Sequence, residues 1–266
     1  MSVLVAIPAR YASTRYPGKP LAELRGAGGA ARSLIERSWR AASEVAGVNR
    51  VVVATDDDRI ADACAGFGAE VVMTSEACAN GTERCAEAHA ALGGGFDIVV
   101  NLQGDAPLTP PWFIEGLVDG LRAAPEAEIA TPVLRCDGAT LSALLADRKA
   151  GRVGGTTAVF GAGGRALYFS KEVIPYVTDS FAPEAETPVF HHVGVYAYRR
   201  AALAAYPEWD VGPLERLEGL EQLRFLENGR QVLCVEVQAR GRQFWELNNP
   251  EDVPRIEAMM AEMGIE

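Results

Sequence analysis

The feature that most constrains this chain is the alternation running through its first half. Short β-rich runs there take turns with stretches whose apolar residues recur at helical spacing. Residues 2–8 (SVLVAIP) read as a buried strand, and within residues 32–45 the apolar Leu34, Ile35, Trp39, Ala42 and Val45 mark a helix. Residues 50–54 (RVVVA), 70–73, 97–102 (DIVVNL) and 128–134 read as further strands. Residues 83–92 read as a helix, and Pro110 and Pro111 start another that runs to about Leu121. Thr55 or Asp56 is placed to cap the helix that Gly66 or Gly68 ends. Such alternation calls for parallel β-α-β units with right-handed crossovers. Open sheets of this kind bind ligands beyond the carboxyl ends of their strands. The loops after Pro8, Ala54 and Leu102 are therefore expected to face one site.

The second half reads differently. Residues 156–160, 165–169 and 193–198 look like strands separated by loops, and residues 182–190 (APEAETPVF) look like an exposed loop. Residues 214–227 are patterned as a helix ending at Asn228-Gly229, and residues 231–237 as a strand. Asn249 is placed to cap a last helix with Pro250 at its first position, buried through Val253, Ile256, Met259 and Met263. No linker and no repeat divides the 266 residues, which read as one domain, 1–266, with halves 1–135 and 136–266.

Composition removes several classes. Apolar residues make 48% and charged residues 23%, as in an ordinary globular enzyme. No apolar run approaches the ~18 residues of a membrane span. Residues 1–7 are too short, and lack the basic start, for a signal peptide, so a cytoplasmic location without membrane attachment is expected. A net charge of −11 argues against nucleic acid as a partner. Residues 1–40 nevertheless carry seven Lys/Arg against two Glu. That local excess suits a small anionic ligand, with Arg32, Arg37 and Arg40 read as decoration of a helix surface. The five cysteines, Cys64, Cys78, Cys85, Cys136 and Cys234, form no C-x-x-C pair and read as small apolar residues of a reduced protein. Three histidines, His89, His191 and His192, are too few for a metal site built on imidazole.

Two segments carry chemistry. Residues 8–21 (PARYASTRYPGKPL) follow the first strand and combine Arg10, Arg15 and Lys19 with the hydroxyls of Ser13 and Thr14 and a glycine, Gly18. Guanidinium forks, an ammonium and free backbone N–H groups suit a triphosphate. The spacing is neither that of a Walker A loop nor that of a dinucleotide-binding fingerprint. The plain alternative is a basic surface loop. Asp105, in N-L-Q-G-D-A-P at the end of a strand, is placed to hold Mg²⁺ between phosphates; a turn cap before Pro107 is an equally good reading of the spacing.

With these segments in view, the chain resembles the 3-deoxy-manno-octulosonate (KDO) cytidylyltransferase family, the CMP-KDO synthetases. The matches run in order along nearly the whole chain. They comprise the basic loop, A-T-D-D-D-R-I from Ala54, F-G-A-E-V-V-M-T-S from Phe67, N-G-T-E-R from Asn80 and N-L-Q-G-D-A-P from Asn101. R-A-L-Y-F-S from Arg165, I-P-Y from Ile174, H-V-G-V-Y-A-Y-R from His192 and L-E-G-L-E-Q-L-R-F-L-E-N-G from Leu217 continue the series. The resemblance implies an α/β fold with a Rossmann-like three-layer sheet, of the nucleotide-diphospho-sugar transferase type, with a smaller β-rich acceptor and dimerisation region. The nucleotide half is then 1–135 and the acceptor half 136–266.

The resemblance also implies a reaction: the anomeric hydroxyl of an eight-carbon 2-keto sugar acid attacks the α-phosphorus of CTP, pyrophosphate leaves, and a CMP-sugar forms for lipopolysaccharide or capsule synthesis. Arg10, Lys19 and Asp105 would carry the chemistry. Pro8, Ala9, Arg10, Ser13, Arg15, Lys19, Ala54, Thr55, Asn80, Gly81, Thr82, Arg84 and Gln103 would bind the nucleotide. The acceptor falls to Arg165, His192, Tyr196, Glu221 and Gln222. His192 and Tyr196 are expected on one strand, facing the same side. Glu221 read alone is a solvated helix residue, and Thr82 and Arg84 read alone are a helix cap and a surface charge. Mg²⁺ is the implied cofactor, CTP and a sugar acid the implied substrates, and a homodimer the implied assembly.

Three departures stand out. Ala106 occupies a position the family usually gives to an acid, and Asn248 falls where the family has its second metal-binding Asp. Glu246, two residues earlier, shares the face of Asn248 if that segment is extended. The stretch K-A-G-R-V-G-G-T-T-A-V before Phe160 lacks the family's Asn-Pro start and Val-Lys pattern. A cytidylyltransferase for a modified octulosonate or a phosphonate, and a catalytically weakened CTP-binding protein, are the alternatives these departures raise.

Overall fold

The computed structural model describes residues 1–12, 16–105, 107–242, 247 and 249–266. They form two compact units, 1–115 with 198–204 and 239–266, and 116–197 with 205–238.

The first unit is the α/β unit that the alternation predicts. β1 (Val3–Ala9), β4 (Arg50–Thr55), β5 (Val71–Met73) and β6 (Ile98–Leu102) lie parallel in the order β5-β4-β1-β6. β1 is central, buried along almost its whole length, and reads as a continuous apolar run because both its faces are covered. Register places Pro8 opposite Ala54 and Ala9 opposite Thr55, while Ala6 pairs with Asn101. The carboxyl ends of β1, β4 and β6 are thus neighbours, and the loops after Pro8, Ala54 and Leu102 leave from one edge. A small antiparallel hairpin, β2 (Glu23–Arg25) and β3 (Ala31–Ser33), precedes α1 (Leu34–Ser43) and was not read from the sequence.

Side-chain capping sets the helix starts. Ser33 Oγ accepts from the Glu36 amide (3.3 Å) to open α1. α2 (Asp58–Phe67) is capped by Asp57, which accepts from the Arg59 amide at 3.0 Å, rather than by Thr55 or Asp56. Thr55 is fully buried at the strand end and Asp56 is engaged by Arg84. Gly68, at φ 82°, ends α2 in the left-handed conformation glycine tolerates. α3 (Gly81–Ala91) starts before Glu83 because Asn80 caps it: Asn80 Oδ1 accepts from the Glu83 amide (2.9 Å), while Glu83 Oε2 reaches back to accept from the Ala79 amide (2.8 Å). Arg37 is not surface decoration. It is 4% exposed, and its Nη2 donates to the carbonyls of Leu24 (2.6 Å) and Ala30 (3.1 Å), clamping the hairpin to α1.

α4 (Pro111–Ala123) starts at the expected proline. In the second unit β7 (Ile129–Asp137) is the hub, antiparallel to β10 (Glu186–His192), parallel to β12 (Val232–Glu236) and neighboured also by β11 (Val195–Arg199). β8 (Thr156–Phe160) and β9 (Ala166–Ser170) extend it antiparallel. The segment 182–190, read as a loop, supplies most of β10. Thr187, Val189 and Phe190 bury its inner positions, and the polar APEAET start hid the pattern. A further helix, α5 (Gly138–Lys149), was not read; Leu141 and Leu144 pack with Cys136 and Val189. The expected helix over 214–227 is two, α7 (Pro213–Glu218) and α8 (Gln222–Glu227), parted at Gly219 (φ 62°); α6 (Arg200–Ala205) precedes them.

In the first unit the last helix, α9 (Asp252–Met263), buries Ile256, Met259 and Met260 against Leu24, Leu34, Leu108 and Leu247. It starts two residues beyond Pro250. Asn249 precedes it, its amide donating to Asp252 Oδ2 at 2.7 Å.

Candidate functional site

Two clusters hold the expected site residues, one in each unit. The first lies at the carboxyl edge of the parallel sheet. Ala54 and Thr55 are fully buried at the end of β4, Ala9 is buried at the end of β1, Pro8 is half-buried, and Arg10 stands exposed just beyond. Gly18 turns the following loop at φ 72°, with its amide donating to Tyr11 O at 2.9 Å; a Cβ there would meet the Tyr11 ring at 3.0 Å. The Arg59 guanidinium stacks 3.3 Å from the Tyr11 ring centroid, tying the loop to α2. Lys19, at the end of this loop, donates from Nζ to Asp105 Oδ2 at 2.8 Å. The loop after β1 and the loop after β6 therefore meet in one ion pair, with side chains 16% and 27% exposed.

That pair is suited to exchange partners. An entering polyphosphate can take the ammonium and an entering cation the carboxylate, each replacing the charge the other side chain supplied. Among the described residues no three His, Cys, Asp or Glu side chains gather into a metal-holding group. The donor chemistry still fits Mg²⁺, which commonly takes one or two carboxylates and completes its shell with phosphate oxygens and water. Ser13 and Arg15, expected to bind phosphate, and Asn248, expected at the metal, lie outside the described residues, as does Glu246.

At the N-terminus of α3, Gly81 allows close approach of two amides. A Cβ there would sit 3.0 Å from Gln103 Nε2 and 3.3 Å from Asn101 Nδ2. Thr82 is 1% exposed and is no helix cap; its hydroxyl shares a 2.9 Å hydrogen bond with Tyr198 OH. Arg84 is no surface charge. It is 3% exposed and donates to Asp56 Oδ2 and Thr74 Oγ1, both at 2.6 Å. Its guanidinium thus braces the loop after β4. Asp56 was read as a helix cap and Tyr198 was not singled out, because an acid in a D-D-D run and a tyrosine in a strand give no sign of these partners until the fold brings them together.

The second cluster is of another kind. His192 ends β10 and Tyr196 lies on β11, so they are not on one strand; a break at residues 193 and 194 separates them. Their rings nevertheless approach, with centroids 5.7 Å apart, and Phe169 stands edge-on to the imidazole at 5.0 Å. His192 Nε2 lies 2.8 Å from Thr131 Oγ1, and Tyr196 OH donates to Gln222 Oε1 at 3.0 Å. His192, Tyr196 and Gln222 are each under a tenth exposed. Burial, with a smaller contribution from His191, pushes the His192 imidazole down to about 3. It is neutral at physiological pH and can serve as a hydrogen-bonding group, not as a cation.

Glu221 and Gln222 stand at the start of α8, Glu221 half-buried and Gln222 1% exposed. They are fixed by a buried pair. Arg224 Nε and Nη2 donate to Glu215 at 2.6 and 2.8 Å, the guanidinium lies 4.1 Å over the Tyr206 ring, and Tyr206 OH reaches Glu221 O at 3.4 Å. Arg165 is exposed and joins Leu233 through an isolated bridge. The described geometry brings together His192, Tyr196 and Gln222; it records no contact of Arg165 with them.

Comparison with known proteins bears on the family of the chain. The Cytidylyltransferase family pattern matches residues 4–232. The chain is 48% identical to the 3-deoxy-manno-octulosonate cytidylyltransferase of Maricaulis maris over 264 residues, 99% of each chain. It is 41% identical to the enzyme of that name from Chlamydia pneumoniae, covering 94% of this chain and 91% of the other. Among solved structures, a CMP:2-keto-3-deoxy-manno-octonic acid synthetase complexed with CTP superposes with a TM-score of 0.83 at 32% identity, covering 99% of this chain and all of the other. The chain belongs to the 3-deoxy-manno-octulosonate cytidylyltransferase family.

Proposed function

We infer that this protein transfers CMP from CTP to the anomeric hydroxyl of KDO and releases pyrophosphate. The observation that carries the reading is the near full-length identity to enzymes of that name, joined to a Lys19–Asp105 pair at the strand-end edge where a triphosphate would lie. Such a displacement rests on positioning and charge neutralisation rather than on a covalent enzyme intermediate. Arg10 and Lys19, with Ser13 and Arg15, would hold the triphosphate. Ala54, Thr55 and the amides gathered at Gly81 would frame the cytosine, their small size excluding a purine. Asp105 would hold Mg²⁺ arriving with CTP, and the bound cation would neutralise phosphate charge; Asn248 offers a carbonyl oxygen but no charge.

The acceptor's hydroxyls would meet His192, Tyr196, Glu221 and Gln222, with Arg165 matching its carboxylate. No helix among the described residues is long and apolar enough to cross a membrane. A cytoplasmic homodimer feeding lipopolysaccharide or capsule assembly completes the proposal. The test is a pyrophosphate-release screen of CTP, ATP and GTP against a panel of sugar acids with Mg²⁺. Release is expected with CTP and KDO together. Equal release with ATP, or none with KDO, would refute the assignment.

A further inference from the structure

The hydrogen bond between Thr131 and His192 carries more than support. Thr131 is fully buried on β7, and its Oγ lies 2.8 Å from His192 Nε2, 2.9 Å from Val195 O and 3.4 Å from Val193 O. A hydroxyl has one proton to give. A carbonyl oxygen can only accept, so the 2.9 Å approach to Val195 O is favourable only when the hydroxyl donates to it. Were the proton turned to Nε2, two lone-pair-bearing oxygens would face each other in a buried site, at the cost of an unmade hydrogen bond. With the hydroxyl spent on Val195 O, Nε2 must be the donor to Oγ. Since the ring is neutral, Nδ1 is then bare.

We propose that Thr131 is a positioning residue that fixes His192 in the Nε2–H tautomer, so that Nδ1 is presented as an acceptor for a hydroxyl of the sugar acid. Among the described residues the hydrogen bond of the His192 ring is made at Nε2, which leaves Nδ1 to the site. Beside it, Tyr196 holds Gln222 by Oε1, and the buried Gln222 Nε2 has no hydrogen-bond partner among the described residues. The cluster therefore offers a bare acceptor and an unspent donor. A substrate hydroxyl can give its proton to His192 Nδ1, and Gln222 Nε2 can donate to a substrate oxygen; an ether or a deoxy position has no proton for Nδ1. The substrate's chemical class follows from the functional reading above, on which this inference rests; the tautomer does not depend on it.

The experiment reads the tautomer directly. Long-range ¹H–¹⁵N correlation of the histidine rings in the full chain, with the three rings assigned through His89→Gln and His191→Gln, is expected to show His192 protonated at Nε2 and bare at Nδ1 at neutral pH. Thr131→Val keeps the shape and removes the hydroxyl. It should shift the ring toward the Nδ1–H form and raise KM for KDO about tenfold with KM for CTP unchanged. Thr131→Ser should restore both. A wild-type ring protonated at Nδ1 would overturn the proposal, as would Thr131→Val with unaltered tautomer and unaltered KM. A wild-type protein that shows the Nε2–H form but turns over no sugar acid would support the tautomer assignment and sink the functional reading instead.

Discussion

The two clusters solve opposite problems. At the edge of β1 and β6 the Lys19–Asp105 pair is charged and partly open to solvent, and is suited to trade its partners. In the second cluster His192, Tyr196 and Gln222 are neutral and buried, with His192 bonded to Thr131 and Tyr196 to Gln222. A triphosphate brings much charge and few distinguishing features, so countercharge serves it. A polyhydroxy acid brings many alike hydroxyls, and these are told apart only by donors and acceptors of fixed direction. Fixing them requires a rigid frame, which the buried Arg224–Glu215 pair supplies to the start of α8.

The largest effect is expected from that frame. Glu215→Ala strands the Arg224 guanidinium in a site 3% exposed and should lower unfolding free energy by about 3–5 kcal/mol, measured by urea denaturation. The double change Glu215→Leu, Arg224→Met should recover most of the loss. A single variant as stable as wild type would show that the second cluster needs no such frame.

Next comes the charged pair. Asp105→Ala is expected to lower kcat roughly a hundredfold or more, and excess EDTA to abolish turnover. Full activity in either case would remove the contrast between the clusters from the charged side.

A smaller effect separates them by pH. Because burial holds His192 near 3, the unfolded chain takes up a proton below about pH 6.5 that the folded ring refuses. This contribution to stability is whole above pH 6.5 and is lost as pH falls from there toward 3. His192→Gln should flatten the fall by about 1 kcal/mol per pH unit in that window, read from urea midpoints. An unchanged slope would mean that the ring is not buried in solution.

The smallest is a control. Arg50 and Glu70 pair on the exposed surface, and Glu70→Gln should leave the unfolding midpoint where it was. A clear shift would show that exposed charge in the first unit has a structural role denied to it here.

The first cluster was the more legible in sequence, and the contrast explains why. A basic loop announces itself by residue type and by its place after a strand, so the segments that bring Lys19 and Asp105 together at one sheet edge were readable. Parallel strands buried on both faces are apolar throughout, which is why β1, β4 and β6 were found within a residue or two of their ends. Arg37 misled because charge in a helix pattern reads as solvated face, whereas it is buried on a partner distant in sequence, the Leu24 carbonyl; Arg84, whose residue type alone reads the same way, is buried on Asp56. In the second unit meaning depends on pairing. β10 begins in a polar, proline-bearing stretch, and Gly219 splits a helix whose apolar pattern is unbroken. Thr131, one threonine in a strand, acquires a role only when β10 and β11 bring His192 and Val195 to it.

The contrast meets its most direct test in one pair of kinetic constants. KM for CTP and KM for KDO are to be measured by pyrophosphate release in Lys19→Ala and in Gln222→Leu. Lys19→Ala should raise KM for CTP by roughly tenfold or more and leave that for KDO nearly unchanged; Gln222→Leu should do the reverse. If both constants rise together in both variants, the nucleotide and the acid are not divided between a charged and a neutral cluster, and the account fails.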